Sequence, residues 1–356
     1  FDMIKKENHT LEMSLNQGTS FLFGHDEQIN FLLARIKTGQ IPNAWLFHGP
    51  IGVGKASLAL NIAKMLSNID ISKKDIVSCV SEKDVRNPKT TININNIFYC
   101  KRRWDNKKKI FQKYISIEDI RDLNRRFSLS STDNSHKICI VDTTEDLNLP
   151  ASNSLLKILE EPPKNTLFIL VSNNHQAILP TILSRCQKIG FQGLHEKDLR
   201  NICSGFLEEN QFDKIKDAGV VNACEGSVRK LQNFLDNNYL KMFNAIKDLL
   251  LDLPTLNKRK TITLLAKNKD YLASNDPDKS VIGIILRLLS SLAKNEISPK
   301  IKSEALDRDV SLIAAHLYGQ ISLLRHQSIE YNIDTKKVVF LALHTIEFAF
   351  AKSKKE

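Results

Sequence analysis

Trp45-Leu46-Phe47-His48-Gly49-Pro50-Ile51-Gly52-Val53-Gly54-Lys55 is the stretch whose reading decides the fold. A short apolar run closes on a glycine loop, and beyond the loop Leu58, Ile62, Met65 and Leu66 return at helical spacing. The order is strand, loop, helix. The loop needs glycines because its backbone must curl until successive N–H groups point at one anion, which a Cβ would obstruct. The following helix adds partial positive charge at its N-terminus, and Lys55 extends toward the terminal phosphates. Gly49, Gly52, Gly54 and Lys55 in this spacing and context point to a phosphate-binding loop.

The loop departs from a hydrolytic site at its last position. A Ser or Thr hydroxyl that would hold Mg²⁺ is expected after the lysine, and the chain has Ala56. Ser57 is turned about 100° away by one helical step. The second half of such a site is expected at the end of Ile138-Cys139-Ile140-Val141-Asp142, an apolar run closing on a carboxylate that suits a metal or its water. Thr143 follows where a glutamate base would stand, and a threonine hydroxyl is no base near neutral pH. Glu145 is read as lying off the strand end and aimed elsewhere. ATP or ADP held weakly or not at all is therefore expected, with no hydrolysis by this chain.

Outward from the loop, Gln28–Ile36 carries apolar residues on one helical face, and Ser116-Ile117-Glu118-Asp119 has the form of a capping box before a helix bearing Ile117, Ile120, Leu123 and Phe127. Thr91–Phe98 is rich in strand formers. A helix from about Ala151 stops at Pro162-Pro163, and Leu167–Val171 reads as a buried strand. Strands alternating with helices imply an α/β domain with a parallel sheet. After Phe191 no run reads as a strand, and segments 195–207, 226–236, 239–251, 279–294, 308–324 and 335–351 read as helices, punctuated by Pro254, Pro277 and Pro299. A small helical unit followed by a larger one fits that length.

Composition narrows the class. The 356 residues carry a net charge of +11, which suits a polyanionic partner without naming one. No stretch is apolar enough to span a bilayer, so a membrane-spanning protein is excluded, and no signal peptide is read after Phe1. A cytoplasmic location is expected. The six cysteines include no Cys-x-x-Cys pair, so neither zinc nor a disulfide framework is expected.

From Phe23 to Phe191 the chain resembles the AAA+ subunits of bacterial clamp loaders. The residues that carry the likeness are Gly24-His25, Pro42-Asn43-Ala44 and the strand and loop through Lys55, Ile140-Val141-Asp142, and above all two runs: Asn153-Ser154-Leu155-Leu156-Lys157-Ile158-Leu159-Glu160-Glu161-Pro162-Pro163 and Leu179-Pro180-Thr181-Ile182-Leu183-Ser184-Arg185-Cys186. Residues 1–20, polar and aperiodic, read as a flexible tail; the resemblance implies an AAA+ P-loop domain over 21–190, a small helical lid over 191–238 and an all-α collar over 239–356 that joins subunits in a ring. It implies that Arg185 projects toward ATP on a neighbouring ATPase subunit; without its flanks Arg185 reads as a surface arginine after a helix. It matches Arg229, in Gly226-Ser227-Val228-Arg229, to a lid residue that senses nucleotide. Ser172 or Asn173 falls where a polar γ-phosphate sensor stands, or simply closes a strand. Implied partners are the gamma/tau motor and delta subunits, a sliding clamp and primer–template DNA. The four-cysteine knuckle of many relatives is missing. A working ATPase with an unusual metal shell, and an AAA+-derived scaffold outside replication, remain as alternatives.

One tract stands apart. Lys101–Lys113 holds seven positive side chains and one negative, and its net +6 is more than half of the total. It reads either as a solvated loop or as a single-strand binder, with Trp104 and Phe111 stacking on bases.

Overall fold

The computed structural model describes residues 22–67, 96–105, 110–129, 136–206, 218–234, 237–251, 280–294, 304–331 and 333–353. The expected tail, Cys79, Lys107–Lys109, most of 91–98 and the three punctuating prolines lie outside the described residues. Contacts divide the chain into two compact units, up to Asp198 and from Leu199 onward.

The first unit is an α/β layer structure. Helix α1 (Asp26–Lys37) leads to strand β1 (Ala44–His48), the glycine loop and helix α2 (Lys55–Ser67). Strand β2 (Ile97–Cys100) is followed by two very short strands, β3 (Trp104–Asp105) and β4 (Ile110–Phe111), and by helix α3 (Ile117–Leu129). Then come β5 (Lys137–Asp142), α4 (Leu149–Glu160), β6 (Thr166–Ser172), the single turn α5 (Pro180–Leu183) and β7 (Gln187–Gly190). Five strands form one sheet in the order β2-β5-β6-β1-β7, every pairing parallel. From β1 the chain crosses to the far edge, returns strand by strand through β5 and β6, and passes β1 to add β7. The glycine loop therefore leaves the carboxyl end of an interior strand, where open α/β sheets bind ligands.

Both faces of the sheet are covered, which explains the near-continuous apolar strands. Trp45, Phe47, Ile138, Ile140, Leu167, Ile169 and Val171 face α1 and α2. The alternate residues Ala44, Leu46, Cys139, Val141, Phe168 and Leu170 face α3, α4 and α5. This two-residue alternation fixes the register, because a slip of one would exchange the faces.

The capping box before α3 forms as expected: Asp119 accepts from the Ser116 backbone N–H and hydroxyl, both at 2.8 Å. The strand expected in Thr91–Phe98 is seen at Ile97–Cys100, with 91–95 outside the described residues. The basic tract differs from the sequence reading, since it contains two short antiparallel strands that pair Trp104 with Phe111. Strand β7 was missed, because four residues with only Ile189 buried carry no pattern.

The second unit is helical among its described residues: α6 (Glu196–Phe206) enters it, followed by α7 (Ala218–Ala223), α8 (Val228–Phe234), α9 (Asn237–Leu251), α10 (Val281–Ala293), α11 (Glu304–Glu330) and α12 (Thr335–Ser353). Helix α10 is mostly apolar and buried almost all round, Arg287 included, and packs on α9 and α11. Rings of Phe234, Tyr239 and Phe243 meet edge to face nearby.

Helix α4 starts two residues before Ala151, with Pro150 in its first turn and Asn148 Oδ1 accepting from the Ala151 N–H at 2.9 Å. Asn148→Ala is expected to cost about 1 kcal/mol, lowering the melting temperature by about 2–4 °C, with Asn148→Asp close to the parent. Thermal unfolding followed by circular dichroism reads this directly.

Candidate phosphate loop and surface arginine

Gly49 is where the first unit pinches the loop. Its N–H donates to the Ser172 carbonyl at 3.3 Å, and a Cβ there would lie 2.2 Å from the Phe191 carbonyl oxygen. Only glycine lets the two backbones approach that closely. Gly52 and Gly54 take positive φ values of 76° and 108°, a backbone that other residues rarely adopt. From behind, His25 Nε2 donates to the Val53 carbonyl at 2.8 Å, which gives Gly24-His25 a structural task.

Lys55 is only 3% exposed. Its ammonium donates to the Gly49 carbonyl at 2.8 Å, to the Pro50 carbonyl, and to Asn173 Oδ1 at 3.0 Å. Burial lowers its pKa to about 8, against the opposing pull of Glu145 and then Asp142. Asn173 is thus the polar residue that meets the lysine. Ser172 is fully buried, and its hydroxyl accepts from the Asn174 N–H at 3.1 Å.

Glu145 corrects the sequence reading. A short 3₁₀ turn, Thr144–Asp146, carries it back to the end of β6. There Oε1 accepts from the Asn173 N–H at 2.8 Å and the Asn174 N–H at 3.3 Å. Its Oε2 is buried without a hydrogen-bond partner among the described residues. The signal in the sequence was weak, since a carboxylate three residues past a strand has no fixed direction until the turn is known.

Asp142 ends β5 and accepts from the Tyr99 hydroxyl at 2.6 Å. Burial and that neighbouring charge push the Tyr99 pKa well above its ordinary value. Thr143 donates to Asp146, whose Oδ2 also pairs with Arg102 Nε at 2.9 Å. Ala56 offers no oxygen, and Ser57 is exposed. His48 lies against His175, ring centroids 4.6 Å apart and tilted by 48°, and burial, then His175, lowers its pKa. The curled backbone and Lys55 fit phosphate groups. The surroundings do not fit a firmly held Mg²⁺, because one expected ligand is an alanine and the other is engaged by a phenol.

Arg185 lies on the same unit, just past α5. Its guanidinium donates to Glu160 Oε1 at 2.7 Å and to the Thr181 carbonyl at 2.9 Å. The side chain remains 36% exposed. The two runs most telling in the sequence therefore meet in one ion pair. Arg229 is exposed at the start of α8, in the second unit.

The buried ammonium makes a pH dependence. An unfolded lysine keeps its proton to about 10.5, while the folded Lys55 releases it near 8, so between these values the unfolded chain binds more protons and stability rises with pH. Relative to Lys55→Met, the parent is expected to gain stability as pH rises from about 8 to about 10.5. Denaturant unfolding of both proteins across that range checks it; a constant difference refutes it.

A family model described as "DNA polymerase III, delta subunit" matches residues 24–195, which span the sheet, the glycine loop and Arg185. The DNA polymerase III subunit gamma of Buchnera aphidicola subsp. Schizaphis graminum is 28% identical over 202 residues, 56% of this chain and 52% of that protein. The DNA polymerase III subunit delta' of Bacillus subtilis is 29% identical over 173 residues, 49% of each chain. The chain spans about half the length of these curated relatives. A solved DNA polymerase III gamma subunit-related protein of Thermotoga maritima aligns with a TM-score of 0.49 at 16% identity, over 90% of this chain and 99% of that one. Over residues 24–195, a little under half of the chain, the protein is thus similar to the delta family model and to the gamma, tau and delta' subunits of DNA polymerase III.

Proposed function

We propose that this chain is a non-motor clamp-loader subunit of the delta-prime, alphaproteobacterial type. It helps place a sliding clamp on primed DNA and lends Arg185 to the ATP site of a neighbouring gamma/tau motor subunit. Delta is a further partner in the ring, the setting is the cytoplasm, and no zinc is carried. The observation that carries the reading is the contrast between two cations. Lys55 is buried among acceptors of its own chain, beside positions where Ala56 and Thr143 stand in place of a metal ligand and a base. Arg185 is held at the surface, its fork oriented by Glu160 and the Thr181 carbonyl. A guanidinium so presented stays charged at any relevant pH and can fork onto a γ-phosphate as charge shifts.

Support for a ring partner comes from the second unit. Phe340, His344 and Phe348 recur every four residues along α12, and Leu341 joins them, all exposed; Phe348 is 65% exposed. An apolar stripe of that kind marks an interaction face. Nucleotide in this chain's own loop is held weakly or not at all, and Arg229 serves as a sensor only where nucleotide binds.

A second reading, a working motor subunit, is favoured by Glu145, whose unpartnered oxygen lies on the carboxylate that acts most strongly on Lys55. Reconstitution with the motor subunit separates the two. In the assembled ring Arg185→Ala is expected to lower ATP turnover by about 10²-fold or more with assembly intact. Glu160→Ala, which frees the guanidinium without removing it, is expected to lower turnover less. Equal turnover with and without the Arg185 side chain refutes the proposal. Steady ATP turnover by the isolated chain, abolished by Lys55→Ala, establishes the motor reading instead.

A further inference from the structure

We propose that the β3–β4 hairpin is a binding site for single-stranded nucleic acid, with Trp104 and Phe111 as its base platform and Arg103 and Lys113 as its phosphate contacts. The site stands independently of the role given to Arg185. Trp104 and Phe111 sit directly opposite each other across the hairpin, ring centroids 4.8 Å apart at 75°. They are 48% and 53% exposed, so the ribbon presents its two largest apolar side chains to solvent. Tyr114 follows, also largely exposed, beneath the Lys113 ammonium at 5.2 Å. Three exposed aromatic rings within eleven residues form a concentrated apolar patch, which on a surface marks a contact site.

So short a ribbon cannot stand alone, and the structure fixes it from behind. The Gln112 N–H donates to the Arg103 carbonyl at 2.8 Å, closing the hairpin, and the Ile115 N–H donates to the Asp146 carbonyl at 2.8 Å. Arg102 pairs with Asp146 at 2.9 Å, and Arg103 pairs with Asp119 and, at 3.5 Å, with Asp122. These pairs set the platform in place while leaving Arg103 about half exposed. Asp119 is buried and holds the inner side of the guanidinium, while the pair with Asp122 is exposed and weak, so a phosphate can approach the outer side.

Charge complementarity selects the occupant. Lys101–Lys113 is the most basic tract of a basic chain. Flat rings alternating with cations match a polymer that alternates flat bases with phosphates. An acidic polypeptide offers the anions but no π-faces for Trp104 and Phe111. The hairpin follows the carboxyl end of β2, so it stands at the same end of the sheet as the glycine loop.

The chain has two tryptophans, and Trp45 is fully buried, so quenching by an added oligonucleotide reports on Trp104. Titration of the full chain with oligo(dT) is expected to quench that emission saturably; a parallel titration with oligo(U) distinguishes DNA from RNA. By anisotropy of a labelled oligonucleotide, Trp104→Ala and Phe111→Ala should each weaken binding about tenfold, while Trp104→Phe, which keeps a flat ring, stays near the parent. Lys113→Gln should reduce the slope of log affinity against log salt by about 0.7. Should an alanine variant fail to fold, Lys113→Gln and the saturable quenching of Trp104 in the parent still decide the question. Unchanged affinity in every variant overturns the proposal, as does quenching by poly-glutamate but not by either oligonucleotide.

Discussion

The ammonium of Lys55 is the point on which the first unit turns. It links the carbonyls of Gly49 and Pro50, in the loop after β1, to Asn173 at the end of β6. Those two strands are hydrogen-bonded neighbours, and the ammonium adds a side-chain tie to the Gly49–Ser172 backbone bond at their ends. Burying a cation is costly unless it is paired or surrounded by acceptors. Here three acceptors meet three ammonium protons, and Glu145 and Asp142 supply opposing charge. The lowered pKa records how far desolvation still prevails.

Glu145 extends this arrangement. Its two backbone contacts hold Asn173 and Asn174, and Asn173 in turn holds Lys55. The 3₁₀ turn that aims Glu145 also contains Asp146, which receives Thr143 and Arg102 and whose carbonyl anchors Ile115. One turn of three residues therefore joins the glycine loop on one side to the basic hairpin on the other.

Much of this was legible in the residues. The strand–loop–helix grammar around Lys55, the alternation across β5 and β6 and the Ser116–Asp119 cap follow from local rules, and local rules survive folding. What escaped reading depends on direction rather than type. Glu145 was placed off the site because nothing in Thr143-Thr144-Glu145 announces a 3₁₀ turn. Strand β7 exists because β1 offers it an edge, not because Gln187–Gly190 prefers to be extended. Trp104 and Phe111 were read as free to stack on bases, whereas they first pack against each other; the register that pairs them is set by a hairpin the sequence did not signal.

The meeting of Glu160 with Arg185 suits the role we propose for this arginine at a neighbouring site. At this exposure the pair adds at most about 1 kcal/mol to the fold, so stability does not require it. Its effect is geometric. With one Nη on the Thr181 carbonyl and the other on Glu160, the long side chain is held in one orientation before any partner arrives, which reduces the rotamer entropy lost on contact. A carboxylate bearing one charge is also an exchangeable partner: a more highly charged phosphate in a drier interface attracts the same fork more strongly. A weak tether is better suited to that hand-over than a strong one. A buried pair would hold the arginine at home, and a bare arginine would have to be ordered anew at each encounter.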